Sequence, residues 1–393
     1  MKRRLIVLLF ALPILSIAQG LPSASDMLRG RISSINDELV VRIGHVGPTS
    51  GPIEQLGIDS ERAARMAVEQ LNAVGVKIQG RPARFILVTE DDGSDPSLAV
   101  SAAHRLVESG VVGVVGHLNS GASIPAASVY NVASIPQVSP ATTNPKFTRL
   151  GFEGVFRLVA DDDALGHKLG AIAIQRFKGK RIHVIDDRTA YGAGLAASFI
   201  EGLRSVGGNI IGRSYLPQEN RNFSYAAEQA AKDRPDIVFF GGMDEEAGLL
   251  LQEFGRIGIR PLFMGGDGIC SPDLPTLARG NLSDNDIVCA EAGGVTAKEQ
   301  ALLDRFRDQF QTRFGSEPSV YSSYAYDAVM VLANAMKFAD SIEPKRYLRA
   351  LKRESYDGVT GKIKFDSKGD ITNAAVTVMT YRRGQRITAG VVR

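Results

Sequence analysis

The chain has 393 residues, of which 44% are hydrophobic, 23% charged and 7% aromatic. That composition excludes disordered, collagen-like and low-complexity chains, and the length suits about two domains or lobes with real cores. Lys and Arg total 46 against 43 Asp and Glu, and Lys2, Arg3 and Arg4 account for the excess. The rest is neutral, so no global charge points to nucleic acid or an anionic membrane as partner. Two cysteines exclude a disulfide-scaffold fold.

Lys2-Arg3-Arg4 form a basic start, Leu5 to Leu15 an apolar run, and Ser16-Ile17-Ala18 a small-x-small site before Gln19. This is the pattern of a secretory signal peptide, expected over residues 1–18 with cleavage after Ala18. The apolar run is about 11 residues, too short for a span of roughly 20. Export permits disulfides. Residues 19–38 read as a lead-in without pattern.

From Leu39 short apolar runs alternate with amphipathic stretches. A strand is expected over Leu39–Val46, a helix over Ile58–Val74 ended by Gly75, and a strand over Arg84–Thr89. Asp95 caps the next helix, with Pro96 at its first position and Gly110 closing it. A strand at Val111–Val115, a helix at Ser120–Tyr130 and a strand at Ile135–Val138 complete a βαβαβαβ run. The pattern then restarts. Helices are expected at Asp161–Phe177, Tyr191–Val206, Asn222–Lys232 and Asp244–Ile257. Strands alternate with them at Arg181–Asp186, Ile210–Tyr215, Asp236–Phe240, Leu262–Met264 and Asp286–Ala290. Helices at Ala297–Phe314 and Val320–Ala339 follow, then strands at Lys362–Phe365 and Ala375–Tyr381. The expected fold class is α/β, two doubly wound parallel-sheet lobes joined by short crossings that act as hinges. Two such lobes in an exported chain suggest a receptor that closes on a ligand.

Catalytic patterns are missing from the sequence. His45, His104, His117, His167 and His183 are scattered and form no metal-ligand spacing. There is no GxSxG elbow and no Walker A sequence. Gly192-Ala193-Gly194 lacks the third glycine of a dinucleotide turn, and Asp91 to Asp95 has no Glu at the twelfth position of a calcium loop. Asp161-Asp162-Asp163 lies at a helix start, where the dipole favours negative charge. No enzyme activity, metal or cofactor is expected.

In open parallel sheets a ligand lies beyond the carboxyl ends of the strands. There the chain reads Gly116-His117-Leu118-Asn119-Ser120-Gly121-Ala122-Ser123 and Ser139-Pro140-Ala141-Thr142-Thr143-Asn144-Pro145. Both loops carry small hydroxyl residues, and the first opens a helix whose N-terminus attracts an anion. A carboxylate is the natural guest.

Gly51-Pro52, Asp91-Asp92, Gly116-His117-Leu118, Ser139-Pro140-Ala141-Thr142, Asp187 with Tyr191-Gly192-x-Gly194, Gly241-Gly242, Phe263-Met264-Gly265 and Lys368-Gly369-Asp370 together resemble the periplasmic leucine/isoleucine/valine-binding proteins. These are the solute-binding subunits of hydrophobic amino acid ABC importers, and the resemblance runs from about Val40 to Gly384. It implies the two-lobed type I periplasmic binding fold, crossing near Leu158–Ala160, Ala290–Gly293 and Gly369–Thr372. The implied lobes are 39–158 with 292–370, and 159–291 with 371–393. A periplasmic monomer is implied, presenting its ligand to a membrane permease complex.

The resemblance places the carboxylate-binding serine on Ser120, the second-loop contacts on Ala141, Thr142 and Thr143, and a tyrosine from the second lobe on Tyr191. The acidic partner of the ligand ammonium, a Glu in the family, falls on Asp267. Asn119 belongs to the implied ligand set. Met243 replaces a second pocket tyrosine, and Leu56, at the pocket periphery, replaces another aromatic. Ser94 and Asn119 stand where the family's first-lobe disulfide has its cysteines. These departures keep the grip on an amino acid but leave the side-chain preference open. An amide, urea or aromatic carboxylate is the alternative ligand, and a ligand-sensing subunit of a signalling receptor the alternative role. Cys270 and Cys289 both fall in the second lobe, where a local disulfide is expected.

Overall fold

The computed structural model describes residues 38–216, 223–295 and 297–392. The expected signal peptide, residues 1–18, lies outside them, as does the lead-in up to residue 37.

In chain order the first elements are β1 (Leu39–Gly47), α1 (Glu54–Val74), β2 (Lys77–Ile78), β3 (Arg81–Asp91), α2 (Pro96–Glu108), β4 (Gly113–Gly116), α3 (Ser120–Val132), β5 (Gln137–Ser139) and β6 (Val155–Arg157). Then come α4 (Asp162–Gln175), β7 (Ile182–Asp186), α5 (Ala190–Ser205), β8 (Ile210–Tyr215), α6 (Phe223–Lys232), β9 (Ile237–Gly241), α7 (Asp244–Ile257), β10 (Leu262–Gly265), α8 (Leu274–Leu277) and β11 (Ile287–Glu291). The last are α9 (Ala297–Phe314), α10 (Ser322–Phe338), α11 (Pro344–Arg353), β12 (Tyr356–Gly358), β13 (Gly361–Ile363), β14 (Val376–Arg382) and β15 (Gln385–Val392).

Most expected elements stand where the periodicity put them. Asp95 caps α2, accepting from Ser97 N and Leu98 N, and Gly75 ends α1 in the left-handed region at φ 71°. Helix α1 begins at Glu54, not Ile58, because Gly57 lies inside its first turns. A Cβ there would stand 1.9 Å from the Pro48 carbonyl oxygen, so this glycine serves close packing and breaks nothing. Strand β3 is longer than expected, and β2, β6, β12, β15, α8 and α11 have no counterpart in the sequence periodicity. Arg157 hides β6 as a charge in a three-residue strand. Helix α11 buries Tyr347, Ala350 and Leu351 on one face and carries basic residues on the other.

Two sheets result. The first has order β2-β3-β1-β4-β5-β6, with β1 parallel to both β3 and β4. The second has order β15-β14-β11-β10-β9-β7-β8, and β14 and β15 join it antiparallel. Alternate strand residues feed opposite faces, as the pleat requires. On the second sheet Val184 and Phe239 pack with Leu169 and Phe199, while Ile185 and Phe240 pack with Leu250 and Phe254. On the first, Val41 and Ile43 meet Ala64, Phe310 and Tyr347, and Val114 meets Ala102 and Tyr130.

The chain passes between the two sheets' cores after β6, after β11 and before β14. The three passages run side by side: Ala160 N donates to Ala292 O at 3.1 Å, and Arg157 N to Gly369 O at 3.0 Å. Parallel order brings the carboxyl ends of β1, β4, β7, β9 and β10 to loops that face one another.

Candidate functional site

A cavity of about 40 Å³ lies between those loops. Its lining includes Asn119, Ser120, Ala141 and Thr143 from the first sheet's side and Tyr191, Met243, Asp267 and Gly268 from the second. Leu56 also lines it, with Ile53, Leu118 and Tyr321. A larger hollow of about 400 Å³ sits among the three passages, lined by Ala292, Gly293, Lys362, Lys364 and Asn373. It follows β6 and β11, whereas the smaller cavity brings together the loops after β4, β5, β9 and β10 from the two sheets.

The first wall is built by two loops locked together. Gly116, at φ 126°, turns the chain out of β4, where a Cβ would meet Val46 O at 2.0 Å. Helix α3 then starts at Ser120 and brings the positive end of its dipole to the cavity. Ser120 Oγ accepts from Asn144 N at 3.3 Å, which ties the second loop to the first. Ser94 Oγ donates to Asn119 Oδ1 at 3.1 Å, so a hydrogen bond joins the two positions that hold cysteines in the resembled family.

Thr142 is not part of the lining. Its hydroxyl is fully buried, shared with Ser139 Oγ at 2.7 Å and Ser123 Oγ at 2.5 Å. It holds the shape of the loop that presents Ala141 and Thr143. Arg157 does the same from below. Although completely buried, it donates to the carbonyls of Thr142, Thr143 and Asn144 at 3.2, 2.9 and 2.9 Å, and also to Asp370 beside the third passage. Buried charges persist only when so paired. The sequence signal for Arg157 is a lone cation in an otherwise apolar run, Val155 to Ala160.

The second wall centres on Asp267, which opens a single 3-10 turn after β10 and is 8% exposed. Tyr191 donates to its Oδ1 at 2.9 Å, and Tyr321 to its Oδ2 at 2.6 Å. Gly268 N donates to the Tyr191 oxygen at 2.8 Å. Burial pushes the Asp267 carboxyl above the usual carboxylate range, while the hydroxyls of Tyr321 and Tyr191 pull it back toward ionisation. Tyr321 was not anticipated. It stands just before α10 and packs with Leu118, Ala141 and Leu56. The turn is stapled from behind, since Cys270 and Cys289 form a disulfide with Cα atoms 5.5 Å apart.

The cavity therefore offers hydroxyls and a helix N-terminus on one side, a carboxylate on the other, and apolar groups from Leu56, Leu118 and Met243 between them. A model of the periplasmic binding protein family matches residues 40–386. The chain belongs to this family. It is 33% identical over 348 residues to the Leu/Ile/Val-binding protein homolog 1 of Brucella abortus, covering 88% of this chain and 91% of that one. It is 30% identical over 344 residues to the leucine-, isoleucine-, valine-, threonine- and alanine-binding protein of Pseudomonas aeruginosa, covering 87% and 90%. Among solved structures, the branched-chain amino acid transporter substrate-binding protein of Streptococcus pneumoniae, in complex with isoleucine, superposes with a TM-score of 0.78 at 26% identity. That superposition covers 90% of this chain and 98% of the other. The two-sheet architecture is the type I periplasmic binding fold. Among the described residues no helix is long and apolar enough to cross a membrane.

Proposed function

We propose that this protein captures a small hydrophobic amino acid between its lobes in the periplasm and presents it, as a monomer, to the permease of an ABC importer. The carrying observation is the placement of opposite charge preferences across one cavity: Ser120, Thr143 and the α3 N-terminus face Asp267. A zwitterion satisfies both walls, with its carboxylate on the first and its ammonium on the second. Leu56, Leu118 and Met243 then receive an aliphatic side chain, which they reward by burial and dispersion. The lobes are residues 39–158 with 292–370, and 159–291 with 371–393. Closure about the three passages is the functional motion, stabilised by ligand contacts to both lobes. No bond is made or broken. The relatives named above, whose names specify leucine, isoleucine and valine, support this ligand class.

Calorimetric titration with L-leucine, L-isoleucine, L-valine and L-alanine tests the reading. Saturable binding of at least one aliphatic amino acid is expected. Failure of all four, with tight binding of benzoate or acetamide, would replace the amino acid by the alternative ligand.

A further inference from the structure

Asp162 opens α4, directly after the first passage between the lobes. It is completely buried, and neither carboxylate oxygen has a partner in good hydrogen-bond geometry, the Thr143 hydroxyl being the neighbouring donor. The burying surface comes from both lobes. Asp162 N donates to Thr143 O at 2.8 Å, from the second loop of the first wall. On the other side stands α5, where a Cβ on Gly194 would lie 3.5 Å from Asp162 Oδ2 and 2.5 Å from the Asn144 side chain. Asn144 Nδ2 in turn donates to Ala190 O at 2.6 Å, closing the seam over the carboxylate.

The charges around it do not neutralise it. Asp267 and Asp161 face it with like charge, and the Tyr191 and Tyr321 hydroxyls lie within its field. Arg157 and the Thr143 hydroxyl favour ionisation, as does the dipole of α4. Arg157, however, is spent on the carbonyls of Thr142, Thr143, Asn144 and Pro145, the Thr148 hydroxyl and Asp370. A buried carboxylate without a partner is far costlier ionised than neutral. Burial, then the Asp267 charge, push this carboxyl well above its usual range.

We propose that closure of the lobes takes up a proton at Asp162, so that ligand capture strengthens as pH falls. Opening parts Asn144 from Ala190 and admits water to the carboxylate, which then ionises as an ordinary Asp. The closed form holds the proton and the open form releases it, so linkage fixes the sign. The slope is bounded at about tenfold in affinity per pH unit. Asp267 contributes the opposite sign, because a bound ammonium favours its ionised form.

This inference rests on the amino acid reading for its probe, L-leucine, and has an arm that needs no variant. Leucine affinity and proton exchange are measured calorimetrically between about pH 5 and 8, in buffers of different ionisation enthalpy. The wild type should take up a proton on binding and lose affinity as pH rises. Asp162→Asn should bind leucine with no such uptake and a flatter profile. Identical profiles for the two proteins, or proton release that the variant does not change, overturns the proposal. In parallel, carbon-13 NMR follows the Asp162 carboxyl in the wild type, so a variant that fails to fold does not stall the test. A titration point raised with leucine and ordinary without it supports the proposal. The same titration point in both states, ordinary or raised, defeats it. Should leucine not bind, the amino acid reading fails, and the same titration with and without benzoate decides the proton site.

Discussion

Tyr321 donates its hydroxyl to Oδ2 of Asp267 at 2.6 Å, linking residues 54 positions apart across the cleft. Tyr321 packs with Leu118 and Ala141 on the first wall, whereas Asp267 follows β10 of the second sheet. The bond thus joins the two walls of the cavity. Under the proposed closure each lobe brings its half as the cleft shuts, so the bond should add to closure and its loss should lower the closed population.

Tyr321→Phe keeps the ring and removes that bond. A hydrogen bond to a charged group contributes about 1.5–3 kcal/mol, so leucine affinity should fall by roughly one to two decades. Titration calorimetry measures it. An unchanged affinity would show that the latch adds nothing to the liganded state.

Ser120→Ala and Thr143→Ala test the opposite wall. Each hydroxyl offers a charge-assisted bond to a ligand carboxylate, and its loss should also cost about 1.5–3 kcal/mol in binding. Thr142→Ala should behave differently, because its hydroxyl is committed to Ser139 and Ser123. It should lower the melting temperature more clearly than it alters ligand contacts. If the Ser120 and Thr143 variants bind leucine like the wild type, these loops are not the carboxylate grip.

The alternating α/β pattern made both sheets legible, because helix and strand periods are local properties of the chain. The site was half legible. Ser120, Ala141 and Thr143 lie in short loops after strands, where parallel sheets place ligands. Tyr191, Met243 and Asp267 came from the family resemblance. Tyr321 left no local trace, because its role depends on a fold-level meeting with Asp267. The helix dipole accounts for Asp162 in the sequence, and only the packing of Asn144 and Gly194 over it reveals a buried, poorly compensated carboxylate.

The Cys270–Cys289 bridge closes a separation of 19 residues behind Asp267. Thiol titration of the denatured, unreduced protein should find no free thiol. Replacing both cysteines with serine should cost roughly 3 kcal/mol in stability on the chain-entropy account. Two titratable thiols would disprove the bridge.

His45 makes stability depend on pH. It is buried in β1, with Nε2 3.0 Å from Ser60 Oγ and Nδ1 unpartnered. Burial lowers its pKa from 6.5 to about 4. A base with a depressed folded pKa takes up its proton first in the unfolded chain. Its contribution is therefore complete above pH 6.5 and is lost as pH falls toward about 4. The slope is at most about 1.4 kcal/mol per pH unit. Urea unfolding of the wild type and His45→Gln across that window should give a stability difference that shrinks as pH falls. A constant difference would mean that His45 does not titrate there.

Asp267→Asn decides the ligand class. The substitution keeps size and shape and removes only the negative charge. If the ligand carries an ammonium group, closure buries that cation beside the carboxylate. Breaking a buried pair at one partner costs roughly 3–5 kcal/mol, because the remaining charge is left uncompensated. Leucine affinity should therefore fall by about two to three decades. The deaminated acid, 4-methylpentanoate, offers no cation. Its affinity should fall little, or rise as the repulsion between two carboxylates disappears. Comparing both ligands in one variant separates the charge effect from any loss of folded protein. If the wild type binds the two equally and the variant treats them alike, Asp267 has no ammonium partner. The cleft would then be built for a carboxylate or an amide, with the Tyr191 and Tyr321 hydroxyls serving only to hold its second wall.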